Sequence, residues 1–451
     1  MVINLKLENK WKLFTKYHDL GFDPLRWLPE CYNELKYDKL IALSEQLKRN
    51  NLRINPNYYI HFPYAEKKNV EIIRRIYKSN EKLKQEYLNT KKTISLMKLN
   101  KDTVINADQL IKKIKNFSEE IKAKIEVDEI SIIPTNSREE FQFMLFDHIK
   151  PQRGNRSGYT VVTNSNTQAT DVTQDIDSHI HIETSLTESI NLLNLLGCSI
   201  DIILFPIYDA PNDNILDTIR KDIDNFAIRY KCTFEDYSSL KMNGLFFGTT
   251  ASGNSHKELP NRYDLINEET EIISTGKFGL LACLSLHIIS TLDEKLIEKS
   301  NEYGIEESKI NQLKDQAIRN LTQPKTIIGK IVTKFLPEYA NDFDALSHIL
   351  VTHPISKNGI SSLYEISKII NREIIIDDIP LIDRDIAKFV SKEHLISNPT
   401  ASTSDTNLIF VSKELAPIVI EELNKNKFES KVIGKIGKKG ITKINFNNKK
   451  D

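Results

Sequence analysis

The chain reads as an α/β protein carrying a helical extension at its N-terminus. Up to about residue 125 the apolar side chains recur at helical spacing. From Glu129 onward, short runs rich in Ile, Val, Phe and Thr alternate with amphipathic stretches. The resulting order, strand–helix–strand–helix–strand, is that of sheet layers covered by helices.

In the N-terminal region Trp11, Leu13, Phe14 and Tyr17 share one helical face, and residues 37–47 are amphipathic. Asp108 is placed as an N-cap for a helix over 109–124, whose Leu110, Ile111, Ile114, Phe117 and Ile121 form a stripe. We expect residues 1–125 to form a separable helical unit, either packed on the next domain or extended as a dimer arm.

The first α/β unit is expected over 128–256. Its strands are 130–133, 141–146 and 159–163, followed by a buried helix over 187–196 that Gly197 stops as a C-cap. An apolar strand over 199–206, an amphipathic helix over 214–230 and a strand over 244–250 complete it. Residues 256–272 are a polar connector. A second unit, 271–440, begins with Glu271-Ile272-Ile273-Ser274-Thr275-Gly276 and contains a helical insertion over 293–321 and a helix over 361–370. A strand over 371–380 leads to the small-residue turn 397–406, after which come a strand over 407–411, a helix over 416–424 and a strand over 431–436. The basic tail, residues 435–449, is expected to be a solvated terminus, with Lys438 and Lys439 placed to approach phosphate.

Composition narrows the function. At 451 residues the chain exceeds one ordinary core, so two or three domains are expected. Lys+Arg 62 against Asp+Glu 62 leaves no net charge, which argues against a general nucleic-acid binder. No apolar run approaches the roughly 18 residues that span a bilayer. The first eight residues include acidic Glu8 and lack an h-region, so a cytoplasmic protein is expected. Cys31, Cys198, Cys232 and Cys283 lie far apart, which argues against a zinc knuckle or a redox pair.

Leu321-Thr322-Gln323-Pro324-Lys325, residues 352–360, the strand ending in Ile379-Pro380 and the turn 397–406, taken in order, resemble the aminoimidazole-ribonucleotide-synthetase superfamily, the PurM-like fold that includes selenophosphate synthetase, thiamine monophosphate kinase and the hydrogenase-maturation dehydratase. Leu321-Thr322-Gln323-Pro324-Lys325 is similar to the family's Leu-Thr-Lys-Pro segment. Residues 352–360, Thr-His-Pro-Ile-Ser-Lys-Asn-Gly-Ile, resemble its Asp-x-Ser-Asp-Gly-Leu element, and the strand ending in Ile379-Pro380 matches its x-x-Ile-Pro. The turn 397–406 stands where the family has Asp-Pro-x-x-Ser-Gly-Gly, with Asn398 in place of the Asp and Asp405, Thr406 and Asn407 near the glycines. The resemblance covers residues 128–440. It implies a two-domain core, a homodimer, and binding of ATP and magnesium together with a small-molecule substrate.

The family draws its magnesium-binding acids from three places, because a hard cation takes oxygen ligands and bridges phosphate oxygens. After the early strand this chain has Asn164, with Asp171 as a competing alignment; on the helix it has Asn191-Leu192 where the family has Asn-Asp; in the later turn it keeps Asp236. The resemblance therefore implies cofactor-binding roles for Asn164, Asp171, Asn191 and Asp236, metal binding by Asp171 and Asp236, and a catalytic role for His353. Separately, His179, His181 and Glu183 alternate, so on a strand they would share one face, joined by Asp175 and Asp177 if the strand extends backward. That set suits zinc, iron, nickel or manganese; the alternation equally fits a surface or packing strand. Two functions are consistent with these residues: an ATP-dependent enzyme working through an acyl- or iminophosphate, or a non-catalytic dimeric scaffold that has lost the acids at Asn164 and Leu192.

Overall fold

The computed structural model describes residues 170–235 and 246–447, apart from 211, 292, 294, 340, 356–358, 394 and 397, together with residues 12–13 and 16–17 and the backbone of the strands between 129 and 167. The rest of the expected helical unit 1–125, and Asp236, lie outside the described residues.

An antiparallel hairpin comes first, β1 (Glu129–Pro134) against β2 (Phe141–Phe146), with Ile132 opposite Phe143. A five-stranded sheet follows. Its elements in chain order are β3 (Lys150–Pro151), β4 (Tyr159–Thr167), α1 (His179–Leu195), β5 (Ile200–Asp209), α2 (Asp213–Tyr230), β6 (Thr233–Phe234) and β7 (Phe246–Ser255). The strand order is β3-β4-β7-β5-β6, antiparallel except where β6 runs parallel to β5.

Helix α1 is the central pillar of this half. Ile182, Leu186, Ile190 and Leu193 recur every three to four residues and are all buried. On the same helix, the hydroxyls of Ser185 and Ser189 donate to Thr249 Oγ1 and Thr249 O of β7, at 3.0 and 2.9 Å. The helix ends in a Schellman arrangement: Gly197, at φ +73°, donates to Asn194 O, and Cys198 donates to Leu193 O at 2.9 Å.

The second half contains β8 (Thr270–Ser274), α3 (Leu280–Ser290), α4 (Lys295–Glu302), α5 (Glu307–Thr322), α6 (Thr326–Lys334), β9 (Val351–Pro354), α7 (Ser362–Ile370), β10 (Arg372–Ile376), α8 (Arg384–Lys392), β11 (Asn407–Ser412), α9 (Ala416–Lys425), β12 (Lys431–Lys439) and β13 (Ile444–Phe446). The sheet order is β13-β10-β12-β8-β11-β9, antiparallel throughout except for the β10–β13 pair. Both faces of this sheet are covered, which explains the unbroken apolar run of β11. Leu408 and Phe410 face a core with Ile272, Leu363 and Ile366, while Ile409 and Val411 face Ile273, Ile331 and Val419 on the other side.

The structure corrects the expectation for the basic tail. Residues 435–439 continue β12, and β13 adds a parallel edge strand beside β10. The tail is fastened by Lys443 to Glu373 and by the Asn445 amide to the same carboxylate. Lys438 and Lys439 are exposed at the strand end.

Candidate functional site

The turn after α8 is the meeting point of the molecule. Asn398 Oδ1 accepts from the Thr400 N–H at 3.0 Å and from its hydroxyl at 2.6 Å, fixing the turn locally. From there it reaches outward. Thr400 Oγ1 accepts from the Ile360 N–H at 3.0 Å, and Ser402 Oγ accepts from the Gly279 N–H at 3.2 Å. Thr275 Oγ1 donates to Asp405 O at 3.1 Å.

Asn191 ties this turn to α1. Its Nδ2 donates to Ser404 Oγ at 2.9 Å, and its Oδ1 accepts from the Lys325 N–H at 2.8 Å, so one buried amide side chain holds the turn and the Leu321–Lys325 segment together. Asp405 stands in the same junction. Loss of water raises its carboxyl above the usual carboxylate range, against the opposing effects of the Thr403 hydroxyl, the Lys325 ammonium and Asn320. Nothing in the spacing of the sequence marks Asp405 and Lys325 as neighbours; only the fold brings them together. Replacing Asn191 by Ala should leave the Lys325 N–H and the Ser404 hydroxyl unpaired in the interior. At about 1–3 kcal/mol for each abandoned buried group, a loss of about 2–6 kcal/mol is expected in urea unfolding.

Asp171 lies toward the other end of α1, just ahead of the helix. Its carboxylate is fully buried. Oδ1 accepts from the Thr173 N–H at 3.0 Å and from the Thr173 hydroxyl at 2.7 Å. Oδ2 is buried and has no hydrogen-bond partner. Such an oxygen costs free energy unless something satisfies it, because a buried charge without a partner loses its hydration and gains nothing. His181, which borders the Asp171 loop, and Asn191 are ten residues apart on α1, about 15 Å by the helical rise. Of the expected site residues, Asp171 and Asn191 thus stand toward opposite ends of a single helix.

The remaining residues are placed differently. Asn164 sits on β4 in register with Thr250 of β7. His353 is buried on β9, where its Nδ1 is 3.0 Å from Tyr263 Oη, and burial lowers its pKa to about 4. The adjacent Thr352 donates to Leu195 O of α1 at 2.7 Å. Neighbouring strand residues project to opposite faces, so His353 points away from α1 and its junction.

The His179–Glu183 alternation is not a strand. These residues form the first turns of α1, because the longer period set by Ile182, Leu186, Ile190 and Leu193 outweighs three alternating residues. On a helix, residues two apart diverge by about 200°. His179 is exposed, whereas His181 is buried and Glu183 pairs with Arg229 at 3.0 Å. Among the described residues no three His, Cys, Asp or Glu side chains gather as a metal-binding group.

Two mixed sheets flanked by helices and joined through α1 define an α/β protein of two layered halves. No protein-family model matches the sequence, and no curated protein matches it. Among solved structures, the chain is similar to thiamine monophosphate kinase from Aquifex aeolicus at 12% identity, over 75% of this chain and 97% of that one, with a TM-score of 0.44. It is similar to thiamine-monophosphate kinase from Stenotrophomonas maltophilia K279a at 11% identity, over 74% and 96%, with a TM-score of 0.45. Hydrogenase maturation protein HypE in complex with ATP aligns at 12% identity over 65% and 84%, with a TM-score of 0.44. These likenesses concern the fold alone. Among the described residues no helix is long and apolar enough to cross a membrane.

Proposed function

We propose that this chain binds ATP with magnesium and, as an enzyme, phosphorylates a carboxamide, amidine or similar oxygen of a small molecule so that a nucleophile can displace the phosphate. The observation that carries the reading is the Asp171 carboxylate, with one oxygen locked by Thr173 and the other buried without a partner. Magnesium asks for little from a protein: one or two carboxylates suffice when phosphate oxygens and water supply the rest. A single oriented carboxylate therefore fits the ion, and magnesium when bound would neutralise phosphate charge there. Asp236 is the second acid of the proposal. Asn191 holds the turn 398–406 and Lys325 in place, with Lys325 supplying positive charge beside it. Asn164 is a neutral oxygen donor in the same reading.

The non-catalytic scaffold is favoured by Leu192, which supplies no ligand where the resemblance calls for an acid. Melting the protein with ATP, with and without magnesium, separates the two. A magnesium-dependent rise in Tm is expected. Calorimetry should show Asp171→Asn and Asp236→Asn binding ATP–magnesium at least ten-fold more weakly, since charged contacts of this kind contribute roughly 1.5–3 kcal/mol. Asp217→Asn, at an exposed ion pair with Arg220, should bind as the parent does. Equal affinities in all three would leave the scaffold reading. The proposal includes a homodimer and the division into 1–125, 128–256 and 271–440; light scattering that finds only a monomer at micromolar concentration overturns the dimer.

A further inference from the structure

β13 is only three residues long, yet the chain makes a full crossing to place it. β12 lies on one side of β10, residues 440–443 pass over the start of β10, and β13 returns beside β10 on the other side. Gly440 opens the crossing at φ +81° and donates to Asn371 O at 2.8 Å. β13 then runs parallel to β10 from Ile374↔Ile444 to Ile376↔Phe446. The Ile374 N–H donates to Lys443 O at 3.0 Å and the Asn447 N–H to Ile376 O at 2.9 Å. Strand alternation divides the side chains. Ile444 packs on the core that holds Ile374 and Ile376. Lys443, Asn445 and Asn447 take the other face, where Glu373 and Asp377 stand. Lys443 Nζ lies 3.7 Å from Glu373 Oε1, the Asn445 amide donates to the same oxygen, and Asn447 Nδ2 donates to Asp377 Oδ1 at 2.5 Å. Glu373 itself is buried.

The β10 edge therefore carries a pattern: the backbone groups of Ile374 and Ile376, an apolar seat for Ile444, and two carboxylates on the alternate face that ask for donors. A second bare β10 does not fit it. Antiparallel pairing centred on Ile375 would join the backbone groups of Ile374 and Ile376, but it would set Glu373 opposite Asp377 of the other copy. Like charges directly opposite are destabilising. Lifting β13 also strips the buried Glu373 of its donors, which costs free energy until donors return. The segment that satisfies every group has Lys, Asn and Asn at alternate positions with Ile between, and each copy of the chain carries it. We infer that the β10 edge is a strand-docking site, filled here by the chain's own β13, that takes residues 443–447 of a second copy in a strand-exchanged dimer. Every contact of β13 is kept in that exchange, and only the crossing 440–443 has to open. None of the residues proposed to hold nucleotide takes part.

The test is made on the full chain with only Ile441 and Thr442 deleted. Lys439 is level with Arg372 and Ile444 with Ile374, on opposite sides of β10. Two strand spacings of about 4.8 Å and two residues of about 3.3 Å rise put their Cα atoms about 12 Å apart, whereas the three links left after the deletion span at most about 11 Å. The shortened chain cannot return to its own β10. Its mass by light scattering should at least double relative to the parent, with amide exchange at Ile374 as slow as in the parent. Unchanged mass, or a doubled mass with fast exchange at Ile374, overturns the inference. If the deletion prevents folding, the full chain with Asn445→Asp and Asn447→Asp decides, because Glu373 and Asp377 repel its β13. A fluorescent peptide of residues 441–447 should bind that variant at least ten-fold more tightly than the same peptide carrying both substitutions. Equal binding of the two peptides, or none, overturns the docking site.

Discussion

Lowering the pH from 7 to 4.5 is expected to remove about 2.5 kcal/mol of stability through His353 alone, and a similar amount through His181. Both imidazoles are buried, and burial is the first cause that lowers each pKa to about 4, from an ordinary 6.5. For His181 the Asp175 carbonyl and the Asp171 and Asp177 charges pull the other way, while His179 adds to the lowering. The folded state holds these rings neutral while the unfolded chain takes up protons below 6.5, so the unfolded state binds more protons between about 4 and 6.5. Stability therefore rises with pH across that window, is level above it, and has lost this contribution below about 4. Urea unfolding at the two pH values should show His353→Gln losing about 2.5 kcal/mol less than the parent. A parent and variant that lose equal stability would mean that His353 is protonated in the folded protein. The same titration bears on catalysis: a ring that stays neutral down to about 4, bonded to Tyr263 and turned from α1, is equipped to hold β9 in place.

Much of the α/β architecture could be read from the residues, and the reasons are local. In β11 the run Leu408–Val411 is apolar on both faces because both faces are covered, and short apolar runs bounded by turn residues announce such strands. Gly197 announces the end of α1 because the Schellman geometry there needs φ +73°. Helix α3 gave no such signal: Leu280–Ser290 is apolar all round, so no periodicity distinguishes helix from strand. The tail misled for the opposite reason. Its lysines look like a solvated terminus, but Glu373 and Asp377, the partners of Lys443 and Asn447, stand 70 residues earlier, beyond any local pattern.

The site was less legible than the fold. Asn191 could be singled out by its place beside Leu192, but its work is done through Ser404 and Lys325, 213 and 134 residues away. Asp171 was one of two alignments, and what distinguishes it is an unpartnered oxygen, which no sequence displays. Tyr17 read as one more apolar residue on a helical face; its hydroxyl contacts to Gln174 and His181 are purely tertiary.

Gly359→Ala is expected to destabilise the protein by about 2–5 kcal/mol, through two causes that a second variant separates. Gly359 adopts φ +49°, a left-handed conformation that costs an L-residue about 1–2 kcal/mol. A Cβ there would also stand 2.4 Å from Thr400 O and 2.6 Å from Thr400 C, and a backbone carbonyl cannot swing aside as a side-chain tip can. Relieving such overlap typically costs another 1–3 kcal/mol. The atoms forced to move belong to the turn that receives Ile360, Gly279 and Asn191, so the displacement would pass to the junction with α1. Asparagine tolerates the left-handed conformation better than alanine but carries the same Cβ. If the backbone angle alone mattered, Gly359→Asn would recover most of the loss. The close approach to Thr400 predicts instead that Asn and Ala lose nearly equal stability in urea unfolding, and that both weaken ATP–magnesium binding. Recovery in Gly359→Asn would place the cost in the dihedral angle and release the turn from its dependence on this glycine.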